Sequence, residues 1–272
     1  MATDDSETAL DVTSDDLAID RSAGVGRIVM DRPERHNAMS EAMASDLRDA
    51  IIELIDEDDV RALVLTGTGD AFNTGADLEA LHGDETDGRR LRAVATRLHS
   101  AIHHLATAPK PVVAGVNGAA AGGGFGLAMC CDVVLAATDA EFTFSYPRIG
   151  LSGDGGSTFL LPRLVGLRRA REIAMLDRAV DAEAAVEMGL ATETVDPDAF
   201  EDRLAELAAD LATGPTRAHG ATKRLMLASY GRGLDDQLDA ETDTIERLAG
   251  TDDYARGYEA FFDDEDPSFE GH

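Results

Sequence analysis

The chain has 272 residues, 44% of them hydrophobic, enough for a sizeable core in one large or two smaller domains. Acids outnumber bases 53 to 24, a formal net charge of −29, so a phosphate backbone is repelled and nucleic-acid binding drops out as a function class. No apolar run is long enough to span a bilayer, and the only cysteines, Cys130 and Cys131, are adjacent, which excludes a disulfide framework.

Residues 1–16 (MATDDSETALDVTSDD) are acidic and polar, without the basic and apolar regions of a signal peptide. They are expected to form a solvated, disordered tail. With the cysteine usage, this predicts a cytoplasmic, reducing setting. Only Lys110 and Lys223 are lysines, and acids are spread along the whole chain. The acidic surplus suits either a basic partner or a salt-rich cytoplasm in which charge is screened within a few ångströms. Scarce lysine and evenly spread acid favour the second.

Taken in order, 17–21 (LAIDR) and 26–32 (GRIVMDR) read as two strands of a hairpin closed before Pro33. Ser40 is placed to cap a helix reaching about Ile55, with Met43, Leu47, Ala50, Ile51 and Leu54 on one face. Residues 60–66 (VRALVLT) read as a buried strand followed by the loop GTGDAFNTGAD. A helix is expected over 89–106, with Leu91, Val94, Leu98, Ile102 and Leu105 at helical spacing, ended by Pro109 and Pro111. Residues 111–116 read as a strand; small residues from Ala119 to Gly124 then lead into a short apolar helix ending at Met129. Strands follow at 132–137 (DVVLAA) and 141–146 (EFTFSY). From about Gly155 the chain reads as helix, apart from a strand-like 191–195 (ATETV). Strands alternating with helices argue for an α/β fold.

Two loops stand out as places for chemistry. Residues 71–78 (AFNTGADL) and 117–127 (NGAAAGGGFGL) each follow a buried strand, and their small residues let a ligand approach the backbone. The second runs straight into a helix, whose first N–H groups and positive dipole end suit an anion or a developing oxyanion. A Gly-Gly-Gly run also suits a tight crossing of strand and helix, so neither loop decides anything alone. His99, His103 and His104 share a helical stretch, but no HExxH or CxxC accompanies them, and no metal is expected.

The two loops, together with 31–38 (DRPERHNA), 118–132, 147–166 (PRIGLSGDGGSTFLLPRLVG) and 267–271 (PSFEG), resemble the crotonase, or enoyl-CoA hydratase/isomerase, superfamily over nearly the whole chain. The resemblance implies a crotonase-like spiral of ββα units over 17–196 and a helical C-terminal oligomerisation region over 197–272. It implies that the backbone N–H groups of Ala76 and Gly123 hold the oxygen of an acyl-CoA thioester. Coenzyme A is expected along Arg35, His36, Ala38, Asn73, Thr74, Gly75, Asp77 and Leu78, its adenine read by backbone near 73–75. No cofactor is implied beyond the coenzyme A of the substrate. The implied partner is a second copy of the chain, in homotrimers or homohexamers.

Hydratases of this superfamily carry two glutamates, and the corresponding positions here are Gly126 and Arg148. Neither can act as a carboxylate base. Asp154 matches a position at which other members carry a single catalytic acid, as proton carrier in isomerases or as nucleophile in 4-chlorobenzoyl-CoA dehalogenases. One carboxylate is enough to move a proton along an enoyl chain, so an enoyl-CoA isomerase is the expected activity. A hydratase with another water-positioning residue, an aromatic acyl-CoA enzyme with Asp154 as nucleophile, and a non-catalytic CoA-ester-binding protein are the alternatives. Asp154 also suits the N-cap of a helix starting near Gly155. Arg148 suits either an anionic ligand or one of the many neighbouring acids. Phe142, Phe144, Tyr146 and Phe159 read as core or acyl-pocket walls, and Phe261 and Phe262 as part of a last helix closing over coenzyme A.

Overall fold

The structure is a computed structural model that describes residues 15–272. The tail expected over 1–16 lies outside the described residues apart from Asp15 and Asp16. Asp16 is joined to the body: its carbonyl accepts from the N–H of Asp31 at 2.9 Å, and its carboxylate pairs with Arg32 at 3.3 Å.

Strands β1 (Leu17–Ser22) and β2 (Val25–Met30) form the predicted antiparallel hairpin. Its turn is Ala23 and Gly24, both at positive φ (50° and 79°), the twist that a two-residue hairpin loop requires. Helix α1 (Glu41–Asp56) begins at Ser40, whose hydroxyl accepts from the N–H of Met43 at 3.0 Å, and it buries Met43, Leu47, Ile51 and Leu54. The chain then alternates between two sheets. Strands β3 (Ala62–Gly67), β5 (Val112–Val116) and β7 (Val133–Ala137) enter a large sheet; β4 (Ala71–Asn73), β6 (Ala119–Ala121) and β8 (Glu141–Thr143) enter a small one. Helices α2 (Asp87–Thr107) and α3 (Gly123–Met129) return the chain for the next turn. This is a spiral of ββα units.

The large sheet runs β1-β2-β3-β5-β7-β10, with β10 (Glu193–Val195) at its far edge, and every pair after the hairpin is parallel. Its central strands are covered on both faces, which is why they read as continuous apolar runs rather than alternating ones. Leu63, Leu65, Val112, Val113, Ala114 and Leu135 are at most 1% exposed.

After β8 come α4 (Ser157–Leu164), α5 (Gly166–Leu176), β9 (Val180–Asp181) and α6 (Ala182–Met188). Beyond β10, α7 (Phe200–Thr213) buries Phe200, Leu204, Ala208 and Ala212. The space over Gly115 is filled by Leu204 and Phe200, so α7 lies on the large sheet. Helices α8 (Thr216–Ser229), α9 (Leu234–Leu248) and α10 (Asp252–Asp263) complete the chain. The last residues are tied back: Arg61 donates to the carbonyls of Gly214 and Phe269, and Asp253 accepts from the N–H groups of Glu270 and Gly271.

The sequence reading missed three strands. β4 and β6 have three residues each, and β9 two, too few to display alternation. Residues 144–146 do not extend β8. The backbone reverses at Ser145 (φ 64°) into a single 3₁₀ turn, Tyr146–Ile149, because Asp177 draws in the Ser145 N–H at 2.6 Å.

Candidate functional site

The small sheet explains how the two small-residue loops meet. β4 pairs with β6 in parallel, Ala71 opposite Ala119 and Asn73 opposite Ala120. β6 pairs with β8 in parallel, Ala120 opposite Phe142 and Ala121 opposite Thr143. Parallel neighbours end at the same side of a sheet. Gly75–Ala76, Gly122–Gly123 and Ser145–Tyr146 therefore emerge together, although they are far apart in sequence. Gly75 is at φ +84°, and a Cβ on it would come within 2.9 Å of the Gly123 nitrogen. Both the turn and the close approach require glycine there.

The first loop is held from below by Asn37 and Asn73, both fully buried. Asn37 Nδ2 donates to the carbonyls of Thr68 and Ala71, and its Oδ1 accepts from the Arg32 N–H. Asn73 Nδ2 donates to the Asn37 carbonyl at 2.5 Å, and its Oδ1 accepts from the Gly75 N–H at 2.9 Å. Met39 adds a parallel bridge, with its N–H on the Gly75 carbonyl and its carbonyl accepting from the Asp77 N–H. The Gly75 N–H is thus occupied. The Ala76 N–H has no partner among the described residues, and Gly123, first residue of α3, has no intrahelical acceptor for its own N–H.

The residues expected along coenzyme A sit on the turn before α1, at the end of β4 and on the loop after it. Arg35 ends a 3₁₀ turn, Pro33–Arg35, and pairs with Glu79. His36 is left-handed (φ 50°) and faces Asp70 through Nδ1 at 3.3 Å. The Ala38 carbonyl accepts from Arg32 at 2.6 Å, and Thr74 Oγ1 donates to the His36 carbonyl. Asp77 caps the turn after the loop by accepting from the Glu79 N–H, and it pairs with Arg32 at 3.3 Å. Leu78 is exposed. Asn73 and Gly75 are buried, with the Asn73 amide and the Gly75 N–H bonded within the loop. They hold Ala76 in place. A cavity of about 190 Å³ opens beside Ala76, lined by Met39, Leu81, Arg90, Leu91 and Val94.

Asp154 stands in the turn before α4. Its carboxylate is not the N-cap: the cap residue is Gly156, without a side-chain bond, and it is the Asp154 carbonyl that accepts from the N–H and hydroxyl of Ser157. The carboxylate instead meets His99 Nε2 on α2 at 2.5 Å. The same turn presses on α3. A Cβ on Gly126 would lie 2.0 Å from the Gly155 carbonyl oxygen, far inside van der Waals contact, so position 126 has no room for any side chain. Arg148 is turned away onto Asp177, Nε to Oδ2 2.5 Å.

Two residues of the site escaped the sequence reading. In the sequence His99 reads only as a metal candidate with His103 and His104; it follows Leu98 of the apolar stripe of α2 but is itself exposed. Tyr146 reads as a core or pocket-wall residue, and its hydroxyl is buried without a completed hydrogen bond. Phe142 and Phe144 are core, whereas Phe159 is exposed with Arg163 over its ring at 3.6 Å. Phe261 and Phe262 are exposed on α10.

The model of the enoyl-CoA hydratase/isomerase family matches residues 20–272. The chain belongs to this family. It is therefore an acyl-CoA-processing member of the crotonase superfamily. The family member named 1,2-epoxyphenylacetyl-CoA isomerase from Escherichia coli (strain K12) is 38% identical over 251 residues, 91% of this chain and 95% of the relative. The 4-chlorobenzoyl coenzyme A dehalogenase-2 of an Arthrobacter species is 33% identical over 241 residues, 88% of this chain and 87% of the relative. Among solved structures, the crystal structure of enoyl-CoA hydratase from Bacillus anthracis superposes with a TM-score of 0.88 at 28% identity, over 94% of this chain and 100% of the other.

Proposed function

We propose that this enzyme shifts a carbon–carbon double bond in an enoyl-CoA, with Asp154 as the proton carrier. The observation that carries this reading is the closure over Gly126. Asp154 stands in the turn whose Gly155 packs against Gly123, and the backbone of Gly155 leaves no space for a second carboxylate at position 126. Adding water across a double bond must both activate and place a water, for which a lone carboxylate is a poor arrangement. A 1,3-proton shift asks less. Asp154 removes a proton from C2 of a 3-enoyl thioester, and the electron pair spreads over C2–C4 and the thioester oxygen as a dienolate. The same carboxylate then returns the proton at C4.

The thioester α-proton is too weakly acidic for a carboxylate to take unaided. In this reading the free N–H groups of Ala76 and Gly123 bind the oxygen as it gains charge, each worth about 3–4 kcal/mol by comparison with single-donor deletions in other oxyanion holes. The coenzyme A moiety runs along Arg35, His36, Ala38, Thr74, Asp77 and Leu78. It is part of the substrate, and no further cofactor enters. Homotrimers or homohexamers belong to the same proposal, with the uncovered apolar side of α9 (Leu234, Leu238 and Ile245, 49–74% exposed) turned to neighbouring copies.

Incubation with 3-hexenoyl-CoA tests the reading: the 2-enoyl product should accumulate, and Asp154→Asn should slow this by about 10²–10⁴-fold, the range for loss of a general acid–base group. Equal rates for wild type and Asp154→Asn would sink it. Faster hydration of crotonyl-CoA than isomerisation would return the assignment to a hydratase.

One observation favours a second reading. His99 lies against Asp154 and is half exposed, 51%, placed to activate a water. A carboxylate that attacks the chlorine-bearing ring carbon of a chloroaryl-CoA, expelling chloride and forming an aryl ester, needs such a neighbour to activate the water that hydrolyses the ester. A covalent adduct on Asp154, seen by mass spectrometry after mixing with 4-chlorobenzoyl-CoA, would establish that chemistry in place of the proton shift.

A further inference from the structure

Tyr146 carries an unmet hydrogen-bond donor at the heart of the site. It follows β8 on the same side of the small sheet as Ala76 and Gly123, and the reversal at Ser145 turns it inward. Its ring packs edge-on against Phe144, centroids 5.0 Å apart. A Cβ on Gly122 would lie 4.0 Å from its Cζ, and one on Gly155 would lie 3.6 Å from its hydroxyl oxygen. The hydroxyl is therefore wedged between the turn that presents the Gly123 N–H and the turn that presents Asp154. It is shielded from solvent and completes no hydrogen bond, with the Asp154 N–H and the Ser157 hydroxyl as its polar neighbours. A buried hydroxyl left unpaired is unfavourable, and such strain is tolerated where a ligand-bound state resolves it. Burial first, and the Asp154 charge second, hold the phenol well above its ordinary pKa, so it keeps its proton and acts as a donor.

We infer that Tyr146 is a positioning residue for Asp154: with an acyl group in the site, its O–H donates to the carboxylate oxygen that His99 does not hold. This rests on the reading of Asp154 as the proton carrier. The groups facing that carboxylate are His99 from α2 and Tyr146 after β8. Ser157 from α4 is committed to the Asp154 carbonyl at 2.7 Å, and Arg148 to Asp177. A donor to the ionised carboxylate favours the charged form. The base must be ionised to take a proton, so activity falls in acid. Without the Tyr146 hydroxyl the fall begins at higher pH.

The experiment compares wild type, Tyr146→Phe and Asp154→Asn with 3-hexenoyl-CoA across pH 5–9, following isomerisation and deuterium uptake at C2, together with thermal unfolding. Tyr146→Phe should lower kcat by about ten- to a hundred-fold, the range for a hydrogen bond to a charged group, with a smaller change in KM. Its acidic limb should move to higher pH, while its Tm should stay equal to or above that of wild type, because the free enzyme loses no hydrogen bond. A merely structural tyrosine would give the opposite pattern, a lower Tm and an unmoved acidic limb, and this would overturn the inference. If Asp154→Asn is inactive and Tyr146→Phe keeps wild-type kcat and pH profile, the tyrosine is wrongly assigned and the carboxylate stands. If Asp154→Asn exchanges and isomerises like wild type, the reading of the carboxylate itself fails and the inference falls with it.

Discussion

The turns around Asp154 and the helices α9 and α10 are opposite ways of using the same chain. Around α3, each residue from Gly123 to Met129 is buried, and backbone meets backbone so closely that single atoms decide what fits. In α9 no residue is buried. On α10, Tyr254, Tyr258, Phe261 and Phe262 stand 51–79% exposed, with rings touching one another. The first region holds a geometry by excluding alternatives. The second offers apolar surface that a single copy of the chain leaves uncovered, which is how interfaces rather than cores look. Substitutions should therefore act through stability and chemistry in the first, and in the second should leave the stability of a subunit little changed.

The largest effect expected on that contrast is at position 126. Gly126→Glu sets a Cβ where the Gly155 carbonyl already is, and backbone cannot yield as a side chain does. Stability should fall by about 3 kcal/mol or more in urea unfolding, without any gain in crotonyl-CoA hydration. A stable variant that hydrates would show the turn over α3 to be movable and the contrast too sharply drawn.

Next comes the frame that supports the site. Lys110 is buried, and its ammonium donates to the carbonyls of Leu54 and Glu57 at the end of α1, at 3.1 and 2.5 Å. Lys110→Met strands both acceptors and should cost about 1–3 kcal/mol, read as a lower denaturation midpoint with an unchanged slope. The other lysine, Lys223, pairs with Asp132 at 2.7 Å and is itself largely buried. Both lysines that the chain retains are thus structural.

A pH dependence follows from His219 on α8. Burial lowers its pKa from 6.5, opposed by the smaller pull of the Asp132 charge. Below about pH 6.5 the unfolded chain takes a proton that the folded chain resists, so stability falls as pH drops from there towards the folded value. His219→Gln should flatten that part of the stability curve and leave the part above pH 7 unchanged. An identical acid slope in the variant would remove His219 from the account.

The smallest stability effect is expected on α9. Ile245 is 70% exposed, and Ile245→Asp should change the unfolding free energy of a subunit by less than about 0.5 kcal/mol. If neighbouring copies cover this face, particle mass by light scattering should drop sharply in the same variant. An unchanged mass would detach α9 from assembly.

What the sequence determined by itself is local. Ser40 capping α1, the apolar stripe Leu98–Ile102–Leu105 of α2, the Ala23–Gly24 hairpin turn and the buried runs of β3, β5 and β7 were legible because each is written in neighbouring residues. The small-residue loops were legible as well, and with the flanking motifs they disclosed the family. Tertiary structure alone decided what stands at the site. Three-residue strands leave no pattern, yet the parallel pairing of β4, β6 and β8 sets Ala76, Gly123 and Tyr146 side by side. His99 and Asp154 are 55 residues apart and meet only because the turn before α4 packs over α3 towards α2. The sequence showed that residue 126 is glycine. That no larger residue fits there follows from where the Gly155 carbonyl lands, a through-space contact between segments that no local spacing encodes.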